Sequence, residues 1–179
     1  NANDPYKIRG GHDLSISHLA YVSPKPDAEP PTWKNRFLPA GGMANFRSGW
    51  DLDDRVLMLM GENGSARKTL HDHVDGTSFV MGAYGELLIT DTGYYKPDTQ
   101  DNAVTANARS HNVILIDGNG APAKGLLNEW GGEDAFIENT VEAKNLAYAE
   151  SRQTYEGTQI IRGVAFVRER YFVMVDQLT

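Results

Sequence analysis

The stretch TSFVMGAYGELLITD, residues 77–91, decides the fold class of this chain. Two apolar runs flank the dipeptide Tyr84-Gly85, and this pattern predicts a β-hairpin with a tight turn. Five further apolar runs, separated by turn residues, predict additional strands at residues 55–60, 112–117, 146–151, 159–167 and 171–176. Because the strands are short and no long amphipathic helix separates them, the sequence predicts an all-β sandwich or barrel.

Residues 1–36 differ in composition from the rest of the chain. Prolines in SPKP (residues 23–26) and EPP (residues 29–31) interrupt any regular element, so we expect an irregular leader with at most a short helix at residues 12–20. The sandwich domain is expected to span residues 37–179. Its last apolar run stops shortly before the C-terminus, so we expect a domain truncated at that end and a chain that is a fragment of a longer protein.

The composition argues against several classes of protein. The net charge of −7, with 24 acidic and 17 basic residues and no basic run, argues against a nucleic-acid partner. The absence of cysteine excludes disulfides and thiolate metal sites. No stretch of about eighteen apolar residues is present, so no membrane span is expected. A cysteine-free chain is compatible with bacterial export, and we expect a periplasmic or secreted protein.

Three of the five histidines and one aspartate lie at the ends of predicted strands. His71 and His73 precede the hairpin, Asp91 ends it, and His111 precedes the next apolar run. In an H-x-H pair on a strand, both rings point to the same face because side chains alternate. Imidazoles together with a carboxylate are the ligands of a Zn²⁺-type site. The four residues therefore predict a cleft with a metal site.

Three motifs occur in an order that resembles the heparinase II/III-like polysaccharide lyases and the related alginate and oligoalginate lyases. They are FLPAGGMANFRSGWD (residues 37–51), LHDHVDGTSFVMGAYGELLITDTGYY (residues 70–95) and SHNVILIDG (residues 110–118). The resemblance rests on H-x-H-x-D-x-x-S-F, on a strand that ends in D-x-G-Y, and on the H-N pair before an apolar run. It covers residues 37–176 and implies an antiparallel β-sandwich that is a fragment of a larger super-sandwich.

The resemblance also implies roles for the clustered residues. His73, Asp91 and His111 match the zinc ligands of the family, and His71 matches a catalytic histidine beside the substrate carboxylate. Family members cleave uronic-acid-containing polysaccharides by β-elimination, with the substrate between this sandwich and an N-terminal α/α toroid that carries the catalytic tyrosine. Because the toroid is missing here, we expect an acidic polysaccharide or oligosaccharide as substrate, the toroid as partner, and little or no activity of the chain alone.

Three further residues are candidates for substrate binding: Arg47, Tyr94 and Arg109. A guanidinium pairs bidentately with a carboxylate, and an aromatic ring stacks on a sugar ring. Structural roles are the alternatives. Arg47 would then pair with Asp51 or Asp53, Tyr94 would pack at the rim of the core, and Arg109 would be a solvated loop residue.

Two other functional classes stay open on the sequence. Cupin-like metalloenzymes also use an H-x-H strand and a later histidine, but they carry a glutamate a few residues after H-x-H. This chain has Asp75 there, and its place before Gly76 favours a turn-capping role over metal binding. The remaining class is a non-catalytic carbohydrate-binding sandwich whose zinc is purely structural.

Overall fold

The computed structural model describes residues 29–63, 73–93, 104–122 and 133–179. The chain divides into two compact units, Asn1–Pro30 and Pro31–Thr179, and all described strands belong to the second. The leader predicted at residues 1–36, with its helix at residues 12–20, falls mostly outside the described residues and stays a prediction.

Two antiparallel sheets form the second unit, and in each sheet neighbouring strands are also neighbours in sequence. The first sheet consists of β1 (Arg36–Leu38), β2 (Met43–Arg47), β3 (Val56–Met60), β4 (Phe79–Ala83) and β5 (Glu86–Ile89). The second consists of β6 (Ala135–Ala143), β7 (Leu146–Tyr155), β8 (Thr158–Val167) and β9 (Tyr171–Leu178). In the described parts of the chain, no helix is long and apolar enough to cross a membrane.

The core lies between the inner faces of the two sheets. Side chains of β2 and β3 alternate between buried and partly exposed positions, as expected for strands with one face on a core. They meet inward residues of the second sheet in one cluster: Ala44, Phe46, Leu57, Leu59, Ile137, Ala147, Ala149, Val164 and Phe166. This packing of sheet on sheet confirms the predicted all-β class and identifies it as an antiparallel β-sandwich.

The inner face of the second sheet changes from apolar to polar along its length. Beyond the apolar cluster, the same face of β7 and β8 carries Ser151, Gln153 and Arg162, which are all buried. Ser151 and Arg162 are register partners on the two strands. Buried polar side chains require hydrogen-bond partners. Gln153 donates to the Glu133 carbonyl and Arg162 donates to the Thr77 and Asn112 carbonyls, all outside strands, whereas Ser151 donates to the Met60 carbonyl at the end of β3. One half of the sandwich is therefore sheet on sheet, and the other half is sheet on loop.

Most of the predicted strands are confirmed. The predicted hairpin forms as β4 and β5, with a bulge between Met81 and Gly82. The apolar runs at residues 55–60, 146–151, 159–167 and 171–176 correspond to β3, β7, β8 and β9. β1, β2 and β6 were not predicted. In β6 the apolar alternation stops after Ile137, and its pairing with β7 is interrupted between Glu138 and Val141.

The strand predicted at residues 112–117 is wrong. Its residues form no ladder, and the segment contains one isolated bridge, at Ile116. Side chains of the second sheet donate hydrogen bonds to backbone carbonyls that would otherwise pair with a neighbouring strand. The Asn112 carbonyl accepts a hydrogen bond from Arg162, and the Ile114 carbonyl accepts one from the Tyr155 hydroxyl. A buried loop whose carbonyls are paired in this way has the same apolar composition as a strand, so periodicity could not separate the two.

The apolar half of the sandwich should carry most of the stability. Leu59 is completely buried, whereas Leu52 is 91% exposed. We expect Leu59→Ala to lower the free energy of unfolding by about 2–5 kcal/mol, because it leaves a cavity between the sheets. Leu52→Ala is the matched control and should change it by less than about 0.5 kcal/mol. Urea unfolding followed by circular dichroism measures both, and equal losses would contradict the assigned core.

Candidate metal and substrate site

Three irregular segments converge at one end of the first sheet: residues 73–78 before β4, residues 91–93 after β5, and residues 104–112. Backbone hydrogen bonds hold the first segment in place. The Met60 amide, at the end of β3, donates to the Ser78 carbonyl at 2.8 Å, and the Thr77 amide donates back to the Met60 carbonyl at 3.2 Å. The Val74 amide donates to the Ala106 carbonyl at 3.0 Å. These bonds bring the predicted histidines together.

His73, Asp75 and His111 form a cluster at the point of convergence. One donor atom from each lies within 4.8 Å of the other two, and the imidazole centroids are 5.2 Å apart. Both histidines are buried. Asp75 Oδ1 and His111 Nε2 are buried as well, and neither has a hydrogen-bond partner among the described residues. Unpaired buried acceptors are costly, and a cation between them would remove that cost. Two imidazoles and a carboxylate fit a zinc-type ion.

Asp91 contacts the cluster through His111. Its Oδ2 lies 2.6 Å from His111 Nδ1, and its Oδ1 accepts a hydrogen bond from the Gly93 amide at 3.0 Å. A carboxylate beside Nδ1 favours the tautomer with its proton there, which leaves the Nε2 lone pair directed at the cluster. In this arrangement Asp91 orients His111, and Asp75 takes the carboxylate position beside the two rings. The ligand role predicted for Asp91 stays a prediction, and Asp75, expected to cap a turn, becomes a further candidate ligand.

Asn112 anchors the residue next to His111. Its backbone amide donates to Ser78 Oγ at 3.2 Å, and its side-chain amide donates to the carbonyls of Phe79 and Thr90, each at 2.9 Å. Asn112 thereby bridges the start of β4 and the end of β5, which fixes the position of His111. The H-N pair was visible in the sequence, but no role followed from it there.

Close packing on the second sheet shapes the turn after Asp75. A Cβ at Gly76 would lie 2.7 Å from Gln153 Nε2 and 3.0 Å from the Ala135 Cβ, so a larger residue there would displace the buried Gln153 side chain. Thr77 has a φ of 71°, a conformation that a β-branched residue rarely adopts. Such strain costs about 1–3 kcal/mol and persists only where surrounding contacts enforce it.

Arg109 lies beside the cluster. It lines a cleft of about 250 Å³ together with Val74, which separates the two candidate ligands of the first segment. The guanidinium is exposed and donates to the Gly118 carbonyl across this cleft. Arg109 is therefore placed to meet a ligand that enters from solvent, and its predicted role in substrate binding stays a prediction.

Arg47 lies far from the cluster. It pairs with Val56, whereas the cluster lies beyond Met60 at the opposite end of β3. Four residues of strand separate the two ends by about 13 Å. The Arg47 guanidinium packs over the Trp50 ring, 4.3 Å from the centroid. The ion pairs of the described residues do not include the alternative pairing of Arg47 with Asp51 or Asp53.

Two of the predicted site residues fall outside the described residues: His71 and Tyr94. The catalytic role of His71 and the substrate-binding role of Tyr94 stay predictions. His71 precedes the described cluster histidine His73 by two positions in the sequence.

Burial lowers the pKa of His73 below its ordinary value of 6.5. The nearby His111 ring lowers the pKa further, while the carboxylates of Asp75 and Asp91 oppose the shift. His73 is consequently neutral at pH 7, the form in which imidazole binds a metal ion.

The lowered pKa of His73 predicts a pH dependence of stability in the metal-free protein. As pH falls through 6.5, His73 of the unfolded chain takes up a proton that the folded chain does not accept until lower pH. The free energy of unfolding should therefore decrease from pH 7.5 to pH 5. Urea titrations with chelator present measure it. His73→Gln should flatten this dependence. An equal dependence in His73→Gln would refute the assignment.

Solved structures of known lyases share the fold. Heparan sulfate lyase HepC from Pedobacter heparinus matches with 20% identity and a TM-score of 0.70, and a heparinase III gene product matches with 19% identity and a TM-score of 0.70. Both matches cover 92% of this chain and 25% of the other chain. A further heparinase III structure matches with 19% identity and a TM-score of 0.66, over 82% of this chain and 22% of that one. The chain thus spans about a quarter of the length of these structures, and at such identities the likeness shows the fold alone.

Sequence comparison supplies the family. No curated protein shows a significant sequence match to this chain. The family described as Heparinase II/III-like, C-terminal matches residues 30–179, which include every described strand. The match confirms the resemblance carried by the three sequence motifs. The chain belongs to the heparinase II/III-like C-terminal family.

Proposed function

We propose that this chain is the metal-binding β-sandwich part of a polysaccharide lyase that cleaves a uronic-acid-containing polysaccharide by β-elimination. Family membership supports lyase chemistry. The structural relatives, a heparan sulfate lyase and heparinase III, support an acidic polysaccharide as the substrate class. The observation that carries the metal-binding part is the cluster of the buried His73 and His111 with the half-buried Asp75.

The elimination makes three chemical demands. A base removes the C5 proton of the uronate, the electron pair forms the C4–C5 double bond, and the C4–O bond breaks while an acid protonates the leaving oxygen. Negative charge spreads into the adjacent carboxylate and needs a hydrogen-bonding or cationic partner. We assign that partner role to His71, and we assign the base and acid roles to a tyrosine of the α/α toroid in the longer protein.

We assign the cluster to Zn²⁺, held by His73 and His111 with a carboxylate as the third ligand. Two imidazoles and a carboxylate would form a donor set of the kind that zinc takes in proteins. The ion would supply positive charge that ties the irregular segments to one another. The protein supplies the rest: burial keeps His73 neutral, and Asp91 fixes the tautomer of His111. We propose that the segment held by the ion would then present His71 to the substrate carboxylate.

The two carboxylates near the histidines should differ in their effect on zinc affinity. Asp75→Asn removes the proposed third ligand, whereas Asp91→Asn removes the group that orients His111. We expect Asp91→Asn to weaken zinc binding by about 10–100-fold, and Asp75→Asn to weaken it more. Competition with a chromophoric chelator measures both, with the exposed Asp53→Asn as control. The reverse order would return the ligand role to Asp91, as the sequence motifs imply.

The lyase assignment is tested in the full-length protein, with the toroid present. His71→Ala should lower formation of the unsaturated uronate product by about 10²–10³-fold, because the developing charge loses its partner. Ultraviolet absorbance follows the product, and plasma mass spectrometry should find about one zinc per chain, as in the wild type. His111→Ala is the contrasting variant and should lose the metal.

Other outcomes of that experiment support the other classes. Full activity of His71→Ala with zinc retained would remove His71 from the mechanism. A wild-type protein that binds zinc and polysaccharide without cleaving it would be the non-catalytic carbohydrate-binding sandwich. Iron in place of zinc, with oxygen consumption, would be the cupin-like metalloenzyme.

We further propose a periplasmic or secreted location in a bacterium, because acidic polysaccharides of this class are extracellular substrates. The exposed Arg109 beside the cluster is the better placed of the two candidate arginines to meet such a substrate. Alginate and related uronans stay within the proposed substrate class, together with heparan-type chains.

A further inference from the structure

Arg162 is a buried charge on the inner face of the second sheet. It lies on β8 between Ile160 and Val164, both completely buried, and is itself only 5% exposed. A guanidinium in such a place is tolerated only when its donors are paired, because desolvation of an unpaired charge is prohibitively costly. The sequence alone indicates no role for this arginine, since it falls inside an apolar strand pattern.

The guanidinium of Arg162 has partners on two sides. On one side, Nε and Nη2 donate to the two carboxylate oxygens of Asp176 on β9, at 2.7 and 3.0 Å. On the other side, Nη1 donates to the backbone carbonyls of Thr77, at 2.8 Å, and Asn112, at 2.5 Å. The ion pair with Asp176 fixes the orientation of the planar guanidinium group. The remaining nitrogen, Nη1, then donates hydrogen bonds to two carbonyls from segments that are distant in sequence.

The two carbonyls belong to the segments that carry the metal cluster. Thr77 follows Asp75 by two residues, and Asn112 directly follows His111. Thr77 is the residue with the strained φ of 71°, and its amide and carbonyl are held by Met60 and Arg162 respectively. A strained turn needs such contacts to persist.

We propose that Arg162 is a positioning residue of the metal cluster, which sets the separation of Asp75 and His111 by holding the carbonyls of Thr77 and Asn112. The inference rests on the proposed metal-binding function of this site. Lysine cannot replace arginine here, because one ammonium group cannot span the carboxylate of Asp176 and both carbonyls at once.

The same sheet contains a matched control. Arg152 on β7 also makes a bidentate ion pair, with Glu138 on β6, at 2.9 and 2.6 Å. That pair lies at a partly exposed position, and the hydrogen bonds of Arg152 to described residues reach Glu138 and no carbonyl of the cluster segments. Arg152→Lys and Glu138→Gln therefore perturb an ion pair of the same kind on the same sheet without touching the site.

The test compares Co²⁺ binding to the isolated chain in four variants. Arg162→Lys should weaken Co²⁺ affinity by about ten-fold or more and alter the visible absorption bands that report the coordination geometry. Asp176→Asn removes a partly exposed carboxylate and should produce a smaller change in the same direction, because the Arg162 guanidinium loses the ion pair that orients it. Arg152→Lys and Glu138→Gln should leave affinity and spectrum unchanged.

Two results would overturn the proposal: wild-type affinity and spectrum in Arg162→Lys, or equal effects in the Asp176 and Glu138 variants. Should Arg162→Lys fail to fold, the comparison of Asp176→Asn with Glu138→Gln decides alone. A wild-type chain that takes up no metal would contradict the proposed metal site instead. Positioning is then read from the imidazole nitrogen shifts of His111 in the metal-free protein, which Asp176→Asn should change and Glu138→Gln should not.

Discussion

Buried backbone carbonyls outside a strand ladder need donors, and in this sandwich the inner face of the second sheet provides them. A buried acceptor without a donor costs about 1–3 kcal/mol, so loops can cover a sheet only if its side chains satisfy them. Three polar residues of β7 and β8 do so: Gln153 donates to Glu133, Tyr155 to Ile114, and Arg162 to Thr77 and Asn112, while Ser151 donates to Met60 at the end of β3. The segments that carry Asp75 and His111 are held on this face by the bonds from Arg162.

The apolar half of the sandwich provides most of the stability, whereas the polar half positions the segments that carry the metal cluster. The apolar half of the sandwich buries large side chains between two sheets and can do so with many combinations of residues. The polar half has no such freedom, because each donor must reach one carbonyl. Three departures from local rules occur together in this second half: the left-handed Thr77, the close packing at Gly76, and the unpaired buried atoms of Asp75 and His111. Departures of this kind concentrate at functional sites.

The burial of the cluster bears on how it would serve a lyase. His73 and His111 are each 9% exposed, so a polysaccharide chain has little access to them. A bound ion there would act on the substrate through the segments that it orders, whereas the exposed Arg109 borders a cleft open to solvent. Our proposal therefore separates the residues that hold the metal from those that meet the sugar. Under the proposed function, the reaction would also require groups from the rest of a longer protein.

The sequence by itself determined the all-β class, the hairpin of β4 and β5, the strands β7 to β9 and the family, because period-two alternation, turn dipeptides and ordered motifs are local signals. It also marked His73, Asp91 and His111 as neighbours. Only the tertiary structure decided that residues 112–117 form a buried loop, that Asp75 joins the two rings while Asp91 contacts His111, and that Arg162 holds both segments. Those outcomes depend on which donor reaches which acceptor across the sandwich. Contacts between residues so far apart in the chain produce no periodic pattern in the sequence.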